Sequence, residues 1–323
     1  MNIIIGSAQS PILASAQSRA ELEAAASRRG VESVVANSRA DLMRELPRAD
    51  AIWIEPATYD AEFVATLRRD VGHLKWIQLM STGFDAVERY GAPDGVVVTN
   101  AGDAYAPLVA EHALALLLAL GRGLPDALDS GAEHQWKSEI GARVTTLDGA
   151  AVTIFGFGRI GREIALRLRP FGTRIIAVTQ RGRLEPLADE TLSSDKLGDA
   201  LKVSDALIVA APLTKSTHHA IGAKELSALP RHAFVINIGR GPIIDGAALS
   251  HALAKGVIGG AGLDVTDPEP LPLDDPLWAC KNVIVTPHIA AMGGALPARR
   301  LAAILQRNLD HFINGRELEN RIF

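Results

Sequence analysis

Residues 152–161 read VTIFGFGRIG, a short apolar run that ends in three glycines, Gly156, Gly158 and Gly161. The spacing G-x-G-x-x-G between a strand and a helix is typical of a turn that holds a dinucleotide. The first glycine permits the tight turn, the second lets the backbone approach a pyrophosphate, and the third lets helix and strand pack closely. The phosphates then meet free N–H groups at the helix N-terminus. Three glycines can also form a simple turn, so the flanking sequence is needed to distinguish a dinucleotide site from such a turn.

The flanking sequence favours the dinucleotide site. Residues 151–155 are mostly β-branched and aromatic, which is typical of a buried strand. Residues 162–169 set apolar side chains among charged ones, as an amphipathic helix does, and residues 175–178 form the next apolar run. This order predicts a βαβ unit around the glycines.

The end of the second strand bears on which dinucleotide binds. NAD sites usually carry an acidic residue there, which hydrogen-bonds the ribose 2′-hydroxyl. No acid occurs between Glu163 and Glu185. Guanidinium groups suit a 2′-phosphate, and the missing carboxylate removes a repulsion. We therefore expect NADP(H) in preference to NAD(H), unless the arginines belong to a solvated loop. The residues at the end of this strand, called the tip below, have polar and cationic side chains: Thr179, Gln180, Arg181 and Arg183.

Composition limits the class of protein. The 323 residues are 48% hydrophobic, which suffices for two domains with separate cores. A net charge of −4 and the absence of a basic block argue against nucleic-acid and membrane-surface partners. The single cysteine, Cys280, excludes an intrachain disulfide and favours a cytoplasmic location. Residues 1–6 resemble a first strand rather than a signal peptide, and no apolar run approaches the ~20 residues of a membrane span.

Apolar runs alternate with helical patterns along the chain, which predicts an α/β protein with two doubly wound parallel sheets. A helix rich in Ala and Leu, residues 111–120, is expected between the sheets, and another, residues 301–312, after the last strand. The strand candidates are residues 3–5, 34–35, 51–54, 76–79, 96–98, 152–155, 175–178, 206–209, 233–237, 260–263 and 283–285.

Three polar side chains follow the last three strand candidates: Arg240, Glu269 and His288. Because ligands bind at the carboxyl ends of parallel strands, we expect these side chains at one edge of a sheet. Prolines on both sides of Glu269 exclude a regular helix and hold this carboxylate in a loop. Asp245 lies nearby, but its position before an apolar helical stretch favours an N-cap.

These three residues, called the catalytic trio below, suit hydride transfer to a 2-oxo acid. Arg240 can grip the substrate carboxylate and polarise the carbonyl, and His288 can donate the proton. Glu269 can hydrogen-bond His288 and stabilise its imidazolium form. Most of the nine histidines must be surface or core residues, so the assignment depends on the ordered set downstream of the glycine motif.

With these residues the chain resembles the D-isomer-specific 2-hydroxyacid dehydrogenase family over essentially its whole length. The matching stretches are residues 109–114, the glycine motif, and residues 212–214, 237–245, 260–270 and 286–288. Among its members, the acid-free tip looks most like the NADPH-using glyoxylate and hydroxypyruvate reductases. Glu269 argues against the formate dehydrogenase branch, which looks to have a neutral amide there.

The resemblance assigns catalysis to the catalytic trio and implies further contacts. Asp264 and the Ile238 carbonyl are implied to hold the nicotinamide amide. The substrate carboxylate is implied to lie near the backbone of Ser81, Thr82 and Gly83, held also by the arginine of the trio. Other implied cofactor contacts are Arg159, Ile160, Pro212 and Thr217.

The resemblance also implies the domain organisation. A flavodoxin-like substrate domain, residues 1–100 and 291–323, is expected to flank a Rossmann cofactor domain, residues 101–290, across a cleft. The resemblance further implies a homodimer formed through the cofactor domain. We expect no metal. Two alternatives stay open: a nucleotide-sensing protein of the corepressor type, and a dehydrogenase of another hydride donor such as phosphite.

Overall fold

The computed structural model describes residues 2–6, 23, 27, 29–70, 72–293 and 295–323. The chain forms two compact units. The split unit comprises Met1–Tyr105 and Gly293–Phe323, and the central unit comprises Ala106–Met292. The helices whose bounds the structure describes are α1 Arg39–Glu45, α2 Ala61–Asp70, α3 Asp85–Tyr90, α4 Ala106–Gly121, α5 Leu124–Ala132, α6 Arg159–Leu168, α7 Leu197–Leu201, α8 Ala223–Ala228, α9 Gly246–Ala254 and α10 Leu296–Ile313.

The split unit contains a parallel sheet of five strands in the order β2-β1-β3-β4-β5. This order is that of the flavodoxin-like doubly wound fold. Trp53 and Trp76 lie in its core with no exposed surface, and their rings meet edge to face at 6.0 Å. The strands are β1 Asn2–Gly6, β2 Glu32–Ala36, β3 Ala51–Ile54, β4 Trp76–Leu79 and β5 Val97–Thr99.

The central unit contains a parallel sheet of seven strands in the order β12-β11-β10-β9-β6-β7-β8, the Rossmann arrangement. Every residue of β6, β9 and β11 is buried, because helices cover both faces of a parallel sheet. The two sheets confirm the predicted α/β class. The strands are β6 Ala151–Phe155, β7 Arg174–Thr179, β8 Glu190–Ser193, β9 Ala206–Val209, β10 Phe234–Asn237, β11 Gly260–Leu263 and β12 Val283–Val285.

Two helices begin earlier than their sequence pattern predicts. Helix α4 begins at Ala106 instead of residue 111, and α10 begins at Leu296 instead of residue 301. In each helix a proline, Pro107 or Pro297, occupies the second position. Proline is favoured in the first turn of a helix, since its missing N–H has no intrahelical acceptor there. The Asp245 cap is confirmed, because its carboxylate accepts a hydrogen bond from Ala248 N at 3.0 Å.

Strand β8 is absent from the strand candidates. It is an edge strand that pairs only with β7, and its four residues, Glu190–Ser193, are all half-buried. A polar strand on an edge lacks the apolar run that marks the buried strands.

Among the described residues, no single helix is long and apolar enough to cross a membrane. The pair α4 and α5 reaches that length and composition only when taken together, with a bend of 65° between the two helices.

Candidate active site

Strand β6 leads directly into the glycine turn. Gly156 has a φ of +96°, outside the range that other residues readily adopt. A Cβ on Gly156 would lie 2.4 Å from the backbone nitrogen of Ala211, and one on Gly161 would lie 2.3 Å from the carbonyl oxygen of Gly156. No described atom lies within 4 Å of a Cβ built on Gly158, which precedes α6. The turn is therefore closed on the protein side and open at the helix N-terminus, which fits a bound pyrophosphate.

The first two residues of α6, Arg159 and Ile160, lie at this opening. Arg159 is exposed and Ile160 is half-buried. Both residues are among the cofactor contacts that the resemblance implies, and a helix N-terminus is where cofactor phosphates bind.

The polar tip follows β7 on the neighbouring strand. Thr179 Oγ1 accepts a hydrogen bond from Gly182 N at 3.0 Å, which closes a tight turn. Gln180, Arg181 and Arg183 are exposed. Neither of these two arginines forms an ion pair with another described residue. Both guanidinium groups are thus available to an anionic ligand.

The first acid after the tip, Glu185, is held by Arg162 of α6. The guanidinium Nη2 and Nε lie 3.0 and 3.1 Å from Glu185 Oε2. This bidentate pair neutralises the carboxylate closest in sequence to the arginines.

Pro212, Thr217 and Ile238 lie beyond the ends of β9 and β10. Thr217 Oγ1 donates a hydrogen bond to the Pro212 carbonyl oxygen at 2.7 Å. Ile238 is buried, and its backbone N–H donates to the Val209 carbonyl oxygen at 3.2 Å. Because β9 pairs with both β6 and β10, these residues lie on the same sheet edge as the glycine turn.

The catalytic trio comes from three adjacent strands. Arg240 follows β10, Glu269 follows β11 and His288 follows β12. Parallel strands end at the same edge, so the structure brings the three side chains together. His288 Nδ1 lies 2.8 Å from Glu269 Oε2, and the Thr266 N–H donates to Glu269 Oε1 at 3.2 Å. Arg240 is half-buried, and its charge acts on both partners.

The histidine and the glutamate shift each other's pKa in opposite directions. The hydrogen bond to Glu269 raises the pKa of His288, although burial and the charge of Arg240 oppose this shift. Burial alone would raise the pKa of Glu269, but the hydrogen bond and charge of His288 outweigh it, and the pKa is lowered. The arrangement stabilises an imidazolium beside an ionised carboxylate.

The backbone of His288 is in the left-handed region, with a φ of +53°. Few residues other than glycine adopt this conformation, and such strain often marks functional sites. The His288 N–H lies 2.9 Å from the carbonyl oxygens of both Thr286 and Asp264. The next two N–H groups, of Ile289 and Ala290, donate to Asp264 Oδ1 and Oδ2, each at 2.9 Å.

Asp264 is buried, with 2% of its surface exposed, and it also accepts a hydrogen bond from Thr286 Oγ1 at 2.7 Å. His112 of α4 completes this cluster. Its Nε2 lies 2.9 Å from Thr286 Oγ1 and 3.3 Å from Asp264 Oδ1. No role was predicted for His112 from the sequence. The sequence feature that could have pointed to His112 is a single imidazole in a helix otherwise rich in Ala and Leu.

The predicted substrate loop, Ser81 to Gly83, lies in the split unit after β4. Ser81 Oγ donates to the Gly83 carbonyl oxygen at 3.0 Å. Asn100, which follows β5, donates from Nδ2 to the Thr82 carbonyl oxygen at 2.8 Å. These bonds fix the loop at the carboxyl end of its own sheet.

In the part of the chain that the structure describes, no group of three or more His, Cys, Asp or Glu side chains is placed to hold a metal ion.

Comparisons with known proteins identify the family of this chain. The model of the "D-isomer specific 2-hydroxyacid dehydrogenase, NAD binding domain" family matches residues 114–290. A glyoxylate reductase of Thermococcus gammatolerans is 37% identical over 255 residues, which are 75% of this chain and 74% of that protein.

Two solved structures superimpose on the whole chain. A D-isomer specific 2-hydroxyacid dehydrogenase family protein from Aeromonas salmonicida has a TM-score of 0.84 at 28% identity, with 100% of this chain and 98% of that chain covered. A D-isomer specific 2-hydroxyacid dehydrogenase from Xanthobacter autotrophicus Py2, solved with NADPH and MES, has a TM-score of 0.82 at 26% identity, with the same coverage. The chain therefore belongs to the D-isomer-specific 2-hydroxyacid dehydrogenase family, NAD(P)-dependent oxidoreductases of small 2-hydroxy and 2-oxo acids.

Proposed function

We propose that the protein reduces a small 2-oxo acid, of the size of glyoxylate or hydroxypyruvate, to the D-2-hydroxy acid with NADPH. The observation that carries this proposal is the 2.8 Å hydrogen bond between His288 Nδ1 and Glu269 Oε2. His288, proposed as the proton donor, and Arg240, proposed to bind the substrate carboxylate, follow strands that end at the same sheet edge as the glycine turn. Glyoxylate reductases among the relatives support the substrate class.

In the proposed reduction, each side chain of the catalytic trio has a different role. The glycine turn and the tip of β7 would hold NADPH, which would supply a hydride for the carbonyl carbon of the 2-oxo acid. Arg240 binds the substrate carboxylate through two parallel hydrogen bonds. Because Nδ1 of His288 is engaged by Glu269, its Nε2 is the atom that donates the proton to the carbonyl oxygen. Glu269 stays ionised and stabilises the imidazolium until the proton has moved, after which His288 is reprotonated from solvent.

The preference for NADPH rests on the tip of β7. Arg181 and Arg183 are exposed there, and the nearest acid in sequence, Glu185, is neutralised by Arg162. A 2′-phosphate would gain charge-assisted hydrogen bonds at this tip, whereas a 2′-hydroxyl would find no carboxylate acceptor in it.

We also propose a homodimer formed through the central unit. Leu124 and Leu128 lie one turn apart on α5 and are 49% and 74% exposed, and Trp136 after this helix is 97% exposed. Large apolar side chains that are clustered and exposed are typical of protein interfaces. A cytoplasmic location stays a prediction from composition.

Initial rates test the proposed function. The purified protein is assayed with NADPH and NADH against glyoxylate, hydroxypyruvate, pyruvate and phenylpyruvate. We expect NADPH-dependent reduction of the smaller acids. Cofactor binding without turnover of any 2-oxo acid contradicts the proposal and favours a nucleotide sensor.

A substitution of the proposed proton donor tests the assignment within the site. We expect His288→Ala to lower kcat by roughly 10² to 10⁴ while the cofactor Kd is unchanged, since general acid catalysis contributes about this much. His251→Ala, an exposed histidine of α9, is the matched control. Turnover of His288→Ala near the wild-type rate contradicts the role of His288.

A further inference from the structure

The cluster around Asp264 has a definite direction of hydrogen bonding. A carboxylate can only accept, and Asp264 accepts from the Thr286 hydroxyl at 2.7 Å and from the N–H groups of Ile289 and Ala290. The one hydroxyl proton of Thr286 is thereby used. Its Oγ1 must therefore accept at the 2.9 Å contact with His112 Nε2. His112 therefore carries a proton on Nε2 and donates it in a hydrogen bond to Thr286 Oγ1.

The cluster links a helix to the loop that carries the proposed proton donor. Helix α4 packs against β10, β11 and β12, so His112 is attached to the rigid core of the central unit. Thr286 lies two residues before His288. The Asp264 carboxylate accepts hydrogen bonds from the N–H groups of the two residues after His288. The strained residue, with its φ of +53°, is thus held on both sides by one carboxylate and one hydroxyl.

We propose that His112 is a positioning residue for His288, acting by hydrogen bonding through Thr286 and Asp264. Its Nε2–H orients the Thr286 hydroxyl toward Asp264, and the shared carboxylate then holds the loop so that the His288 ring meets Glu269. His112 is 20% exposed as a side chain, and its Nε2 is directed into this cluster. The proposal rests on the proposed function only for its effect on turnover, since its effect on the loop is independent of any substrate.

Four variants test the hydrogen bonds one at a time. His112→Phe keeps a planar ring but removes the donor, and His112→Gln restores a side-chain N–H. Thr286→Val removes the hydroxyl at nearly constant volume, and Thr286→Ser keeps it. His251→Phe is a control for the change of an exposed imidazole in the same unit.

The first readout is hydrogen exchange of the amides of residues 286–290 in the protein without ligands. We expect faster exchange in His112→Phe and Thr286→Val than in the wild type, and recovery in His112→Gln and Thr286→Ser. Unchanged exchange in His112→Phe overturns the proposal, whether or not the protein reduces 2-oxo acids.

The second readout is steady-state kinetics. A displacement of about 1 Å at a catalytic group can cost up to roughly a hundredfold, so we expect kcat to fall about tenfold to a hundredfold in His112→Phe. The cofactor Kd should be unchanged, and the double variant His112→Phe/Thr286→Val should be no slower than Thr286→Val alone, because both act through one hydroxyl. Equal losses of kcat in His112→Phe and His112→Gln would show that the ring fills space, and would overturn the proposal.

Discussion

At the residue scale, the contact between His288 and Glu269 should set the pH range of the proposed reduction. His288 must be protonated to donate, so kcat/KM for reduction falls as the pH rises through its pKa. The hydrogen bond to Glu269 raises that pKa above the ordinary value of about 6.5 and extends reduction to higher pH.

Replacing Glu269 with Gln removes the charge while keeping the size of the side chain. The pKa of His288 should then fall, and the alkaline limb of the kcat/KM profile should move to lower pH. The profile is measured with saturating NADPH and a 2-oxo acid on wild type and Glu269→Gln. An alkaline limb at the same pH in both proteins contradicts the coupling of these residues.

Arg181 is the residue on which the cofactor preference can be tested. A hydrogen bond to a charged group contributes about 1.5 to 3 kcal/mol, so we expect Arg181→Ala to weaken NADPH binding roughly tenfold to a hundredfold. NADH lacks the 2′-phosphate and should be little affected. Fluorescence titration gives both dissociation constants, and Lys202→Ala, an exposed cation after α7, is the control for lost charge. Equal losses for NADPH and NADH would show that Arg181 does not contact the 2′-phosphate.

At the scale of elements, two glycines of the β6–α6 turn have different functions that the alanine variants separate. A Cβ on Gly161 meets the Gly156 carbonyl oxygen at 2.3 Å, so Gly161→Ala forces the helix away from the strand. We expect a loss of about 1 to 3 kcal/mol in the free energy of unfolding, as for other overpacked sites.

Gly158→Ala is the matched variant, because its Cβ meets no described atom. At this N-cap position the substitution should cost less than about 1 kcal/mol of stability. Its methyl group points into the opening proposed for the pyrophosphate, so cofactor binding should weaken with little change in Tm. Thermal unfolding and cofactor titration of both variants check this. Intact cofactor binding in Gly158→Ala contradicts the proposed location of the pyrophosphate.

Apolar strands were predictable from the sequence, and the polar edge strand β8 was not. Strands β3, β4, β9 and β11 have the predicted bounds, because a strand covered on both faces is mostly apolar. Strand β12 also has the predicted bounds although it is a half-buried edge strand, because its three residues are Val, Ile and Val. Strand β8 does not need an apolar sequence, because it is half-buried at an edge of the sheet. It pairs with β7 through backbone groups that every residue carries. The early starts of α4 and α10 have a local signal, a proline in the first turn, which apolar periodicity does not include.

At the scale of the whole molecule, the exposed apolar side chains of the central unit predict the oligomeric state. Changing both Leu128 and Trp136 to Ser removes the two most exposed apolar groups of the α5 region. We expect the wild type to sediment as a dimer and the double variant as a monomer with a similar far-UV spectrum. Leu273→Ser, at a leucine that is 98% exposed elsewhere in the same unit, is the control and should stay dimeric. A monomeric wild type, or a dimeric double variant, contradicts the proposed interface.

The sequence by itself determined the α/β class, the glycine turn, the acid-free tip and the order of Arg240, Glu269 and His288. These features are local patterns, and the rule that parallel strands end at one edge converts their order into proximity. Only the tertiary structure decided which residues support the trio. His112 and Thr286 are 174 residues apart in the chain, and their 2.9 Å contact arises because α4 packs across β10, β11 and β12. The face of a helix that meets a given strand end depends on packing in three dimensions, which no pattern along the chain specifies.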